Sequence, residues 1–186
     1  MIGRSVVLTD RPNRPFGGYR RLDCDTLTDV LRAVRMTGAI FFDVHASTPW
    51  VAQAPPSRDI AALVMPGAQH VIEYHVLVSG SCWAALVDTD ADPIRLAPGS
   101  IIVFPHGDPH VLSSAPHMRA MPEMAIFAPA STENPRPFYL DPGGGGPQGA
   151  RIVCGFLGCD ARPFNPLLLS LPRVLHIAEA TSAEDG

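Results

Sequence analysis

The chain has 186 residues, 46% of them apolar, with 20 prolines, 16 glycines and a formal net charge of −4. That length suits one domain with a real core, and that apolar content excludes disorder throughout. The 14 basic residues are all arginine and scattered, so with a pI near 5.9 the chain by itself makes a poor nonspecific nucleic-acid binder.

No apolar run reaches the length of a membrane span. The apolar stretch behind Met1 is too short for a secretory signal, so the expected location is the cytoplasm. There the four cysteines, Cys24, Cys82, Cys154 and Cys159, read as free thiols or metal ligands rather than disulfides. Residues 1–22, rich in Arg, Pro and Gly, read as an extended arm, with Arg20 and Arg21 near its end. Leu27, Val30, Leu31 and Val34 then recur at helical spacing, with Asp25 or Thr26 as cap and Thr37-Gly38 as stop, and predict a helix. Strands are predicted over 39–45, 71–78, 82–87, 100–104, 110–113 and 151–156. Pro55-Pro56, Pro66-Gly67, Ser79-Gly80, 88–93, Pro98-Gly99 and 105–109 separate them as turns. Many short strands between turns predict a sandwich or barrel.

The stretch 115–150 reads as a long, partly irregular excursion, and the run Gly143–Gly146 as a flexible linker within it. No Lys-Ser/Thr follows those glycines, which argues against a phosphate-binding loop. Asn165-Pro166 opens a predicted C-terminal helix whose apolar face carries Leu167, Leu168 and Leu171, until Pro172 breaks it. A short apolar piece, 174–177, follows. The polar end, 180–186, reads as the start of a linker, hence the expectation that the chain is one piece of a longer protein.

Chemistry concentrates in two places. Between Gly99 and His110 a β-favouring run, Ile101 to Phe104, meets a turn at Pro105 and Gly107 and re-emerges with His110 before Val111-Leu112. Such a corner can aim an imidazole into a pocket, and His106 and His110 across it are plausible metal ligands; a hairpin corner with a surface histidine fits the same residues. In the earlier strand, period-two alternation puts Glu73, His75 and Leu77 on one face. If that face is buried, Glu73 and His75 need partners or a metal. A hydrogen-bonded core pair answers that need equally.

Glu73, six intervening residues and Gly80, followed by Gly99, Pro105, Gly107 and His110, resemble the paired motifs of the cupin superfamily. The second motif matches fully. The first lacks the His-x-His pair that metal-binding cupins place before the Glu, since only His70 stands nearby. The ordered series 25–35, Trp50, Tyr74 to Trp83, Phe104 to Leu112, Val153 to Asp160 and Pro166 to Pro172 further resembles the N-terminal cupin-type domain of AraC/XylS-family transcriptional regulators, over roughly residues 22–178. The resemblance implies a mainly β fold, a cupin double-stranded β-helix or jelly roll with a short N-terminal helix and C-terminal helices. It divides the chain into an arm (1–22), a cupin β-roll (23–164) and a C-terminal helical segment with the start of a linker (165–186). It implies an effector-sensing, dimerising domain, with a small-molecule effector, a homodimer, and DNA contact only through a helix-turn-helix half that this sequence does not contain.

His110 holds the motif position that is a ligand in metal-binding cupins. With His75, Cys154 and, as fourth ligand, His106, it makes up an expected tetrahedral site for a divalent ion, zinc in the first place. Glu73, Trp50 and Trp83 are expected pocket residues, the two tryptophans reading also as plain core. The alternative is a stand-alone metal-dependent cupin enzyme of dioxygenase or isomerase type, for which Glu73, His75 and His110 supply two imidazoles and a carboxylate.

Overall fold

The computed structural model describes residues 5–7, 37–127, 137–159 and 166–178. The helix expected over 25–35, Arg20, Arg21, Cys24, the Asn165 cap and the polar end lie outside those residues. In chain order the elements are β1 (Ser5–Val7), β2 (Thr37–Ser47), β3 (Val51–Ala54), α1 (Ser57–Val64), β4 (His70–Gly80), β5 (Cys82–Leu86), β6 (Ile94–Leu96), β7 (Ile101–Phe104) and β8 (His110–Ser113). A 3-10 turn (Met124–Phe127), β9 (Phe138–Leu140), β10 (Gln148–Cys159), α2 (Pro166–Ser170) and β11 (Leu175–Ala178) follow.

The strands form two sheets. One has seven strands in the order β1-β11-β7-β4-β10-β2-β9; the other has four, β3-β8-β5-β6. All six predicted strands are present, and the mainly β, two-sheet architecture is that of a jelly roll. Side chains of both inner faces meet in the core, among them Leu77, Ile102, Phe104 and Ile152 from the larger sheet and Ala84 and Leu112 from the smaller. At one end Phe41 lies edge-on to Phe138 and Phe156, with ring centroids 5.4 and 5.2 Å apart, an arrangement worth about 0.5–1.5 kcal/mol per pair beyond the area buried.

Three segments differ from their sequence reading. Pro55-Pro56, read as a turn, leads into α1, which buries Ile60 and Val64, one helical turn apart, and begins at the buried Ser57. Eight residues with two apolar anchors give a weak periodic signal. The glycine run is docked rather than loose: Gly144 and Gly146 donate their amides to the Ser47 and Thr48 carbonyls at 3.3 and 3.0 Å. A Cβ on Gly143 would sit 2.0 Å from the Ser47 oxygen, so backbone packs on backbone where no side chain fits. Finally, the C-terminal segment is helical only over Pro166–Ser170; past Pro172 the apolar piece becomes β11 and pairs antiparallel with β7. The β-branched Ile101, Ile102 and Val103 of β7 offer it backbone partners that a short helix would forgo. Among the described residues no helix is long and apolar enough to cross a membrane.

Candidate metal centre

Two strands of opposite sheets build the site. On β4, alternation turns Glu73 and His75 into the core, where they are 2% and 7% exposed, while Tyr74 between them is partly exposed. From β7 the Pro105–Pro109 corner carries the chain out of the larger sheet and into the smaller one, where β8 opens with His110 at 1% exposure. The corner needs its glycine. Gly107 has φ +65°, and a Cβ there would fall 2.6 Å from that of Ser57. The Gly107 carbonyl accepts the Ser57 amide at 2.9 Å, and the Ser57 hydroxyl donates to Glu73 Oε1 at 2.5 Å. The glycine of the second motif thereby seats the residue that orients the carboxylate of the first.

His75 Nε2 and His110 Nε2 lie 2.7 Å apart, and Glu73 Oε2 lies 3.8 Å from His110 Nε2. These donor atoms all fall within 4.8 Å of one another. The tautomer of His110 follows from its other nitrogen. Nδ1 is 2.9 Å from the Asp108 carbonyl oxygen, which only accepts, so Nδ1 carries the hydrogen and Nε2 presents a lone pair. This is the outer-shell arrangement that prepares an imidazole for a metal. Phe104 stacks on the His110 ring at 3.7 Å and 10° and fixes its plane. His75 Nδ1 is buried without a hydrogen-bond partner among the described residues.

Burial sets the charges. It pushes His75 well below its usual value and His110 down to about 4, the latter partly offset by the Asp108 carbonyl. It pushes Glu73 up to about 7, against the pull of the Ser57 hydroxyl. At neutral pH both imidazoles are therefore neutral, and Glu73 is near half ionised with no cationic side chain beside it among the described residues. Two imidazole nitrogens and a carboxylate oxygen converge where burial makes a negative charge costly, and a divalent cation removes that cost. The residues fit a metal of the two-His, one-carboxylate type.

The other expected site residues stand outside this cluster, some of them in the same cavity. Cys154 on β10 pairs directly with His75 and lines the same cavity, but stands outside the converging group; burial, and then the Glu73 charge, raise its thiol pKa. His106 points away, its Nε2 donating to the Leu171 carbonyl at 2.9 Å, in a hollow shared with Ser57, His70 and Gly107. Trp50 is 3% exposed and lines the cavity, with its Nε1 unpartnered among the described residues. Trp83 sits between the buried Cys82 and Ala84 on β5, so alternation turns it to the outer face, away from the cavity. Cys82, pushed to about 12 by burial, and Cys159 are buried and apart from the cluster. Glu73 joins the cluster itself. Ser57, Phe104 and Asp108 carried no ligand-type signal in the sequence; they act through a hydroxyl, a ring face and a backbone carbonyl.

The cavity over the three donor atoms is small, about 80 Å³, with Phe42, Val44, Trp50, Leu112, Phe127 and Ile152 among its walls. A family model described as Cupin matches residues 25–186. No curated protein and no solved structure matches the chain.

Proposed function

Because the chain belongs to the cupin family, we propose that its β-roll is the sensory and dimerisation domain of an AraC-type transcriptional regulator of the cytoplasm, with a zinc ion held by Glu73, His75 and His110. One observation carries the reading: three converging donor atoms open on a cavity of about 80 Å³. Pockets that enclose a substrate-sized molecule are about 300–1,000 Å³. Here there is room for an ion and an effector of a few atoms, which suits a sensor. The bound ion supplies positive charge and an open coordination position for an effector's donor atom. The DNA contact belongs to a helix-turn-helix half carried on another part of the protein. The ordered series of residues shared with AraC/XylS-type domains supports the choice of regulator.

Three measurements test this. Purified protein should hold about one equivalent of zinc per chain, and light scattering should give a dimer. The reading frame should continue past Gly186 into two helix-turn-helix units. A metal-free protein that takes up no zinc, or a strict monomer at high concentration, counts against the proposal.

The second reading, a metal-dependent cupin enzyme, is favoured by the donor set itself, since two imidazoles and one carboxylate on one side of an ion leave positions open for a reactant. Oxygen consumption by iron-loaded protein would move the assignment to it.

A further inference from the structure

We infer that Arg173 is a positioning residue for the metal centre, coupling the C-terminal strand β11 to His110. The inference rests on the metal reading above. Arg173 grips the Asp108 carboxylate with two nitrogens, Nη2 to Oδ1 at 2.7 Å and Nε to Oδ2 at 3.2 Å. Asp108 is the residue whose carbonyl accepts the His110 Nδ1 hydrogen, so the guanidinium holds the peptide that sets the ring's tautomer and direction. Nη2 also reaches the two Asp88 oxygens, at 2.9 and 3.1 Å, a leg that does not touch the corner.

Two further ties run from the same segment to the same corner. Leu171 offers its carbonyl to His106. Leu175, His176 and Ile177 of β11 pair with Val103, Ile102 and Ile101 of β7, the strand that ends in Phe104, the ring stacked on His110. Residues 171–177 therefore hold the Phe104–His110 corner at two of its side chains and at the strand that leads into it. Arg173 is 40% exposed, and an ion pair at that depth adds little to stability. Its bidentate geometry fixes an angle instead. By linkage, an ion that needs His110 in this orientation tightens the docking of 171–177 to the same degree that this docking tightens the ion. Zinc occupancy is thereby read out on the strand nearest the chain's C-terminal end.

The test compares wild type with Arg173→Met, and with Asp88→Asn as a control that weakens only the outer leg by removing its charge. Loss of a direct outer-shell partner weakens metal binding about 10–100-fold; one step further out, Arg173→Met should weaken zinc about 3–10-fold. It should also shift the absorption bands of the cobalt-loaded protein, while Asp88→Asn stays within about twofold with an unchanged spectrum. Zinc should slow amide exchange at 175–178 in wild type and much less in Arg173→Met. Wild-type zinc affinity and an unaltered cobalt spectrum in Arg173→Met would overturn the inference. Should that variant fail to fold, Asp108→Asn keeps the carbonyl, removes the carboxylate that Arg173 grips, and carries the same expectation. If wild type binds neither zinc nor cobalt, the metal reading fails, and the His110 Nδ1–H resonance of the metal-free protein decides the positioning role. Its loss in Arg173→Met upholds that role, and its persistence ends it.

Discussion

Replacing Glu73 by Gln should have opposite effects on the metal-free and zinc-loaded protein. Gln keeps the shape and accepts the Ser57 hydroxyl as Glu73 does, but carries no charge. Burial holds Glu73 at about 7 against an ordinary 4.5. A carboxyl whose folded value is raised binds its proton more tightly folded than unfolded. Its contribution is therefore fully present below about 4.5, declines as pH rises, and is lost above about 7. The gap between 4.5 and about 7, at about 1.36 kcal/mol per pKa unit, is about 3 kcal/mol. Without metal, Glu73→Gln should match wild type near pH 4.5 and exceed it by about 3 kcal/mol at pH 8.5, or roughly 6–12 °C in Tm for a chain of this size. His110, pushed down to about 4, takes stability away as pH falls from 6.5 to 4, but in both proteins, so the difference isolates Glu73. Zinc at a hundred times its Kd adds about 2.7 kcal/mol to wild type and should add little to the variant. The assay is urea unfolding with chelator and with zinc at both pH values. Equal or lower stability of the metal-free variant at pH 8.5 would refute a Glu73 carboxylate buried without a cationic partner.

Zinc affinity itself should rise about tenfold per pH unit up to about 7, as Glu73 gives up its proton, and then level off; the imidazoles, already neutral well below that pH, add no second slope. A flat profile by competition titration between pH 5.5 and 8.5 would show that Glu73 is not a ligand. Cys154→Ala should leave zinc affinity within about threefold, because the donor atoms that converge among the described residues are those of Glu73, His75 and His110; a loss beyond the 10–100-fold range typical of outer-shell changes would make the thiol a fourth ligand. Gly107→Ala meets both a positive φ and the Ser57 side chain, and should cost ~2 kcal/mol or more. It should also loosen the Ser57–Glu73 hydrogen bond, visible as a Glu73 titration displaced from its wild-type position in carbon-13 NMR.

Some of this site was legible along the chain. Period-two alternation alone puts Glu73 and His75 on one face of β4, because the pleat repeats every two residues whatever the strand packs against. The Pro105-x-Gly107 turn announces a sharp corner for the same local reason. The strands themselves followed from apolar runs between turn residues. Other parts depend on segments far apart. His106 and His110 lie in the same turn, and the sequence treats both as candidate ligands; the crossing from one sheet to the other sends His110 across the core to His75 and leaves His106 on the Leu171 carbonyl. Cys154 meets His75 through the register of β10 on β4. Ser57 reaches Glu73 only once α1 has folded against β4, and the glycine run finds its place only against the turn after β2.

By itself, then, the sequence determined six of the strands, the corner and the shared face of Glu73 and His75, since backbone periodicity and turn geometry are properties of a few neighbouring residues. Which imidazole completes the cluster, which carboxylate oxygen stays open and which residues brace it were decided by the stacking of two sheets. That stacking rests on hydrogen bonds and side-chain contacts between residues dozens of positions apart, and no local pattern encodes them.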